Sequence, residues 1–378
     1  MGARELGNPL GNPLGLARIP VGGSGIGSIK LSSSYAVADH LPADGRTLLQ
    51  ADNPKLFAAI GLLNRVFGAF STLSNPMGAS TIFGNAAGMN GVVITVAADG
   101  KCARSTDGGA TQSLISIGAG GTTTLRGVDT DGNGTWIVVG HGGFMARSID
   151  NGVTWQAITS GFGASDIYSV AYRAGVWVAG GASGAMRRST DNGASWSSVS
   201  SGIATNIFAL ASDGMGTWLA CGRSGAVSRS VNDAQTWAPV AVGVGSITLN
   251  GVAHGDGQGW YLVGDSGTAL FSPDSGSTWL PVSLGVTTDI YDVACDAHGN
   301  WLLCGGSYIG YQKSSENAPT SLNSRSGRAI ARVGDDAWVV VGGGFYRAIE
   351  AYPYSIATEF QLPRINAGSS LVAQIKVR

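Results

Sequence analysis

Acids, bases and nucleophiles do chemistry only when held at fixed separations, and the most regular spacing in this sequence belongs to carboxylates. Asp107, Asp150, Asp191, Asn232, Asp274 and Glu316 follow one another at intervals of 43, 41, 41, 42 and 42 residues. An arginine stands just ahead of each of the first four: Arg104, Arg147, Arg188 and Arg229. Guanidinium forks pair with carboxylates bidentately, so converging arginines would make a receptor for an acidic substrate. These arginines recur with the period instead, and are read as structural or solvated. Other chemistry is sparse. The histidines His40, His141, His254 and His298 stand singly near glycine turns, with no two at metal-ligand spacing. Cys102, Cys221, Cys295 and Cys304 form no CxxC pair, so neither a disulfide framework nor a zinc site is expected, and a reducing cytoplasm suits folding. Gly22-Gly23-Ser24-Gly25 and Gly342-Gly343-Gly344 lack the lysine and the strand–helix context of a phosphate loop. No cofactor and no metal is expected.

The elements that hold these residues follow from the repeat. The copies read SIDNGVTW (148–155), STDNGASW (189–196), SVNDAQTW (230–237) and SPDSGSTW (272–279), with STDGGATQ (105–112) and SSENAPTS (314–321) as weaker members. Upstream of each copy lies a short apolar run ending in Gly: WIVVG, WVAGG, WLACG, WYLVG, WLLCG and WVVVG, with VITVA (93–97) as the first member. Such runs suit strands buried on both faces. A strand precedes each run and two follow it, so a period of about 41 residues holds four strands. Seven such units predict an all-β fold, a seven-bladed β-propeller. Cys221 and Cys304 occupy the position of Val139 and Val263 and are read as small core residues. In the turn, an Asp carboxylate can accept backbone N–H groups, and Gly152, Gly193 and Gly276 can take a positive φ. Trp155, Trp196, Trp237 and Trp279 are expected to wedge between blades. Asn232-Asp233-Ala234 loses the glycine, so an altered turn is expected there.

Composition limits the function classes. Of 378 residues, 60 are Gly, only 12% are charged and 44% are apolar, which describes a turn-rich chain with ample core. A formal net charge of −1 leaves no electrostatic footprint for nucleic acid or an anionic membrane. The longest uncharged stretch, 66–98, is broken by polar residues every few positions and does not suit a membrane span. The first residues lack a signal-peptide pattern.

The SxDxGxTW copies resemble the Asp-box motif of sialidases and other Asp-box propellers over roughly residues 77–350. In those families the box lies on the periphery, so the resemblance implies fold rather than activity. Sialidase chemistry would require three convergent arginines, a Tyr nucleophile and acidic partners. Arg18 in Ala17-Arg18-Ile19-Pro20 precedes the repeats, and Glu5, Glu316, Glu350 and Glu359 sit in no repeat-breaking insertion, so no enzymatic activity is expected. Outside the repeats, Leu41-Pro42-Ala43-Asp44-Gly45 and Pro54-Lys55-Leu56-Phe57-Ala58-Ala59-Ile60-Gly61 resemble the tail-collar domain of bacteriophage fibre proteins. Residues 53–60 also read as a helix, capped by Asn53 with Pro54 at its first position. The Phe-x-Leu-Pro element of collar domains occurs only as Phe360-Gln361-Leu362-Pro363. The expected organisation is an extended attachment arm (1–27), a small collar-type α+β domain in two halves (28–75 and 352–378), and the propeller (76–351) inserted between them. The resemblance implies a virion tail protein, assembled in the bacterial cytoplasm. It would bind other tail proteins through the arm and collar, and a host receptor, glycan or protein, through the propeller; a homo-oligomer is compatible with it. Two other classes fit part of the pattern: an Asp-box protein that binds or hydrolyses glycans, and a propeller assembly factor similar to those of photosystems.

Recognition is expected on the face carrying the loops between second and third strands, where residues vary while scaffold residues repeat. There the loops place Ala98, His141, Ala182, Arg223, Asp265, Gly306 and Gly343. Thr124, Asp166, Asn206, Ser246 and Asp289, just ahead of the innermost strands, are expected to ring the channel mouth or to cap those strands.

Overall fold

In each repeat the apolar run becomes the second strand of an antiparallel four-stranded sheet. The computed structural model describes residues 69–351, apart from 256–257, 297–298, 314–318 and 335–336. Outside that span it describes the strands Arg4–Glu5, Ile29–Ser32, His40–Pro42, Thr47–Leu49, Val66–Phe67, Glu359–Gln361 and Val372–Lys376. Blade 2 illustrates the unit, with strands Leu125–Thr130, Trp136–Gly140, Met145–Ser148 and Gln156–Ala157 paired in that order. Its second strand is buried at every position, because neighbouring blades cover both of its faces. The fourth strand is exposed. Blades 1 to 6 span 82–115, 125–157, 167–198, 207–239, 249–281 and 290–323, and the seventh runs from 327 to 351. The protein is therefore an all-β, seven-bladed β-propeller.

The ring is closed by strand exchange between chain-distant segments. Phe345–Ala351, the third strand of blade 7, pairs with Ser71–Leu73, which completes that blade from the other end of the ring. Ser71–Leu73, expected in the first collar half (28–75), thus belongs to the propeller, which starts before residue 76. A ring has no natural end, so its last sheet needs a strand from the residues before its first blade to cover the exposed edge.

Apolar clusters lie between blades rather than within them. Ile137, Val139 and Met145 of blade 2 pack with Ile167, Val170, Trp177 and Ala179 of blade 3. Val93, Ala97 and Ala103 of blade 1 pack with Val339, Val341 and Phe345 of blade 7, sealing the ring. The fully buried tryptophans are those of the second strands, Trp136, Trp177, Trp218, Trp260 and Trp338. Trp155, Trp196, Trp237 and Trp279 are half-buried and pack against the edges of these clusters between blades. Their turns lie at the outer strands, where one side of the ring still meets solvent. Near the axis the innermost strands approach so closely that a Cβ on Gly127 would stand 3.2 Å from the Tyr168 carbonyl.

Two compact units make up the chain, 69–348 and a second formed by 1–68 together with 349–378. In the second unit Val372–Lys376 pairs with both Ile29–Ser32 and His40–Pro42, and Arg4–Glu5 adds to the far edge of Ile29–Ser32. Thr47–Leu49 pairs with Glu359–Gln361, and Val66–Phe67 with Glu350 and Ala351. The helix expected over 53–60, most of the arm 1–27 and the Leu362-Pro363 end of the collar motif lie outside the described residues. No helix among the described residues is long and apolar enough to cross a membrane.

Candidate functional site

Asp107, Asp150, Asp191 and Asp274 are absorbed by their own turns, while Glu316 lies outside the described residues. Asp150 Oδ1 accepts from Ser148 Oγ at 2.7 Å and from the Thr154 amide at 2.8 Å, while Oδ2 accepts from the Thr154 hydroxyl. Gly152 N donates to Ser148 Oγ and Trp155 Nε1 to the Gly152 carbonyl, locking the loop. Hydrogen bonds to the charged form, chiefly from the Thr154 hydroxyl, bring the Asp150 carboxyl down to about 2. Asp191 and Asp274 are likewise lowered to about 2, through the Ser195 hydroxyl and the Thr278 amide respectively. Asp107 binds Ser105 and Thr111 in the same way.

The arginines clamp the next blade. Arg104 Nε donates to the Asn151 carbonyl at 2.8 Å, Arg147 to Asn192 at 2.8 Å, Arg188 to Asp233 at 2.7 Å and Arg229 to Ser275 at 2.7 Å. Arg347 closes the circle, donating from blade 7 to the Gly108 carbonyl of blade 1 at 3.0 Å. Blade 5 carries Phe271 at this position, facing the blade whose turn sequence has degenerated around Glu316. An arginine is thus present where the next blade offers an intact turn, which gives these residues a structural role. Asn232 keeps the turn too: its Oδ1 accepts from Thr236 N at 3.0 Å, and its Nδ2 donates to the Thr236 hydroxyl. The expected alteration does not occur, because Ala234 itself adopts φ +59° and Trp237 Nε1 still reaches its carbonyl.

Convergence happens instead at the inner edge of the ring. In each of the seven blades the pairing register slips after the first residue of the innermost strand. The bulged residues are Phe83, Arg126, Tyr168, Phe208, Asn250, Tyr291 and Arg328. A bulge re-aims one side chain without breaking the sheet. Here the re-aimed side chains meet across blades. Arg126 lies over Phe83 at 4.3 Å and over Tyr168 at 5.3 Å; Arg328 lies over Phe83 at 5.7 Å and over Tyr291 at 4.7 Å. Tyr168 meets Phe208 edge-on at 5.3 Å. The result is an arc of alternating rings and guanidiniums, each stack worth about 0.5–2 kcal/mol. Burial, together with the Arg328 charge, lowers the Arg126 pKa from its usual value, although the neighbouring Tyr168 and Asp166 oppose this.

Part of the expected recognition face adjoins this arc. His141 packs edge-on against Tyr168 at 6.1 Å. Tyr168 OH donates to Asp166 Oδ2 at 3.4 Å, and Asn206 Nδ2 lies 3.5 Å from the Tyr168 hydroxyl. Arg223, exposed on blade 4, is close enough for its charge to act on the Tyr168 phenol. Asp265 and Asp289 lie further round, Asp265 accepting from Asn250 Nδ2 at 2.8 Å. Asp166, Asn206 and Asp289 are chiefly capping residues: their side-chain oxygens accept from Gly142 N, Ser183 N and Ser266 N in the loop of the preceding blade. Their carbonyls accept from Ala182, Arg223 and Gly306 of their own blades. The equivalent residue of blade 5 is Thr248, not Ser246, since Thr248 O accepts from Asp265 N. Two half-buried carboxylates stand on the innermost strands. Asp129 accepts from Tyr172 N at 2.7 Å and Asp292 from Ile330 N at 2.8 Å, and burial pushes them up to about 6 and about 7. Among the described residues no group of three His, Cys, Asp or Glu side chains could hold a metal ion.

The rim residues were missed in the sequence although a signal exists. In LRGVD, IYSVA, IFALA, LNGVA and IYDVA the second residue changes from blade to blade while the residue before it is always Leu or Ile. No protein-family model matches the chain, and neither does any curated protein sequence. Solved structures do. YCF48 bound to D1 peptide matches with TM-score 0.62 at 17% identity, over 75% of this chain and 95% of that one. YCF48 from Cyanidioschyzon merolae matches at 0.61 and 18%, over 74% and 98%. A catalytically inactive virginiamycin B lyase from Staphylococcus aureus with quinupristin matches at 0.65 and 10%, over 76% and 100%. At these identities the chain is similar to them in fold: it is a β-propeller.

Proposed function

We propose that the protein is a phage tail protein that acts by binding, without catalysing a reaction. A seven-bladed propeller of the Asp-box kind presents its channel mouth to a ligand. A collar-type domain, divided between the two ends of the chain, attaches it to other tail proteins. The observation that carries the binding reading is the bulged rim. The rim gathers half-exposed rings and cations whose identity changes from blade to blade. The tail reading is supported by the collar-like segments, 28–63 and 360–378, and by strands from both chain ends pairing in one unit. Its test is immunogold electron microscopy of intact virions with an antibody to this chain. Label at the tail is expected; virions without label would overturn it. A fluorogenic sialoside assay on the purified protein is expected to show no turnover above buffer.

A further inference from the structure

We propose that the channel mouth binds a carboxylate-bearing saccharide, with Arg126 and Arg328 as the anion-holding pair on either side of Phe83. This deepens the binding reading above by naming the ligand class of the same face. Like charges are placed close together only where something offsets their repulsion, and a cation with no counter-charge is costly away from water. Arg126 and Arg328 share one aromatic neighbour, and neither makes a hydrogen bond or ion pair with a described residue. They stand apart from Arg104, Arg147, Arg188, Arg229 and Arg347, whose guanidiniums are held by turn carbonyls. Two enclosed donor-capable nitrogens in this quarter, Arg126 Nε and His141 Nε2, have no hydrogen-bond partner among the described residues. The nearby acid, Asp166, is committed to Gly142 N and the Tyr168 hydroxyl. Among the described residues, then, the pair has no counter-charge committed to it.

The surroundings select the kind of anion. Rings cover the guanidinium faces and leave the terminal Nη1–Nη2 edge, which matches a planar carboxylate in two parallel bonds. Phe83, Tyr168, Phe208 and Tyr291 are half-exposed and offer flat apolar surfaces of the size of a sugar ring. Main-chain groups that an extended peptide would seek along the inner strands are already taken: Tyr172 N by Asp129, Ile330 N by Asp292 and the Ile290 carbonyl by Asn250. An acidic peptide is accordingly the less favoured occupant.

The test is an array carrying carboxylated saccharides on several backbones, their carboxyl-reduced counterparts, phosphate-substituted saccharides and polyglutamate, probed with the purified full chain. Binding to carboxylated members is expected, at least tenfold stronger than to the reduced counterparts and weakening with salt. Arg126→Gln and Arg328→Gln should each lose tenfold or more, while Lys313→Gln, which removes an equal charge from the exposed surface, should leave binding unchanged. Melting temperatures report whether each variant folds. Arg126→Lys keeps the charge but not the fork, and should weaken binding severalfold even if Arg126→Gln is unstable. Equal binding to reduced saccharides, preference for polyglutamate or phosphate, or wild-type binding by the arginine variants would overturn the proposal. Virion labelling tests the tail reading whatever the array shows, so the two can fail separately.

Discussion

Ala234 stands where the other complete turns have glycine, in a left-handed conformation that costs an L-residue about 1–2 kcal/mol. The neighbouring blade explains how it is tolerated. A Cβ on Gly193 would meet Ile137 Cδ1 at 2.3 Å, and one on Gly152 or Gly276 would meet Ile94 or Leu219 at 2.9 Å. The matching residue opposite Ala234 is Val178, shorter than Ile or Leu and buried in the same cluster. Ala234→Gly should thus change stability by less than about 1 kcal/mol, as strain relief offsets lost packing. Val178→Ile alone should destabilise by about 1–3 kcal/mol through overpacking, and the double variant should recover most of it. Urea midpoints of the four proteins measure this coupling. Asp292 makes a second prediction at this scale. Its folded pKa of about 7 lies above the unfolded value of about 3.9. The native state therefore binds the extra proton, and stability falls as pH rises through this window, by at most about 1.4 kcal/mol per unit. Asp129 adds to the fall up to about pH 6. Asp150 and Asp191, lowered to about 2, act oppositely: their contribution is present above about pH 4 and lost as pH drops toward 2. Stability should peak near pH 4–5, and Asp292→Asn should flatten the limb between pH 6 and 7, read from melting temperature against pH.

Blades are elements of one pattern, and their contacts explain which residues repeat. A side chain from one blade reaches the turn of the next, so Arg147 is as periodic as the Asp turn it holds. Removing such a charge-assisted bond should cost about 1–3 kcal/mol. Arg347→Gln should cost more than Arg147→Gln, because the ring is closed there by the pairing of Ser71–Leu73 with Phe345–Ala351 and by such contacts rather than by an unbroken run of chain. Hydrogen exchange in Ser71–Leu73 and Phe345–Ala351 should rise in Arg347→Gln and stay near wild type in Arg147→Gln. Repetition made these elements legible: WIVVG and its relatives read as doubly covered strands, and they are buried throughout. The bulges were not legible. A bulge is a property of pairing between strands, and LRGVD taken alone carries no mark of which residue will be left unpaired; only comparison between blades singles out its second position.

For the whole molecule the decisive fact is that the ring begins and ends beside itself. Ser71 pairs with Arg347, placing their Cα atoms about 5 Å apart, so the sequence of one unit can interrupt that of the other without distorting it. Replacing 72–346 by a linker of about three glycines should therefore leave a chain whose two ends still pair. The check is far-ultraviolet circular dichroism with a cooperative thermal transition; a chain that melts without cooperativity would show that the outer unit needs the propeller. Sequence alone determined the period, the strand order within a blade and the number of blades, because these follow from local alternation and spacing. It also marked the Asp turns, whose chemistry is confined to a few successive residues. Only the tertiary structure decided where the ring closes, which tryptophans fill it and which side chains meet at its centre. Phe83, Arg126 and Arg328 come from blades 1, 2 and 7 and are neighbours only because the ring closes, which no local pattern encodes.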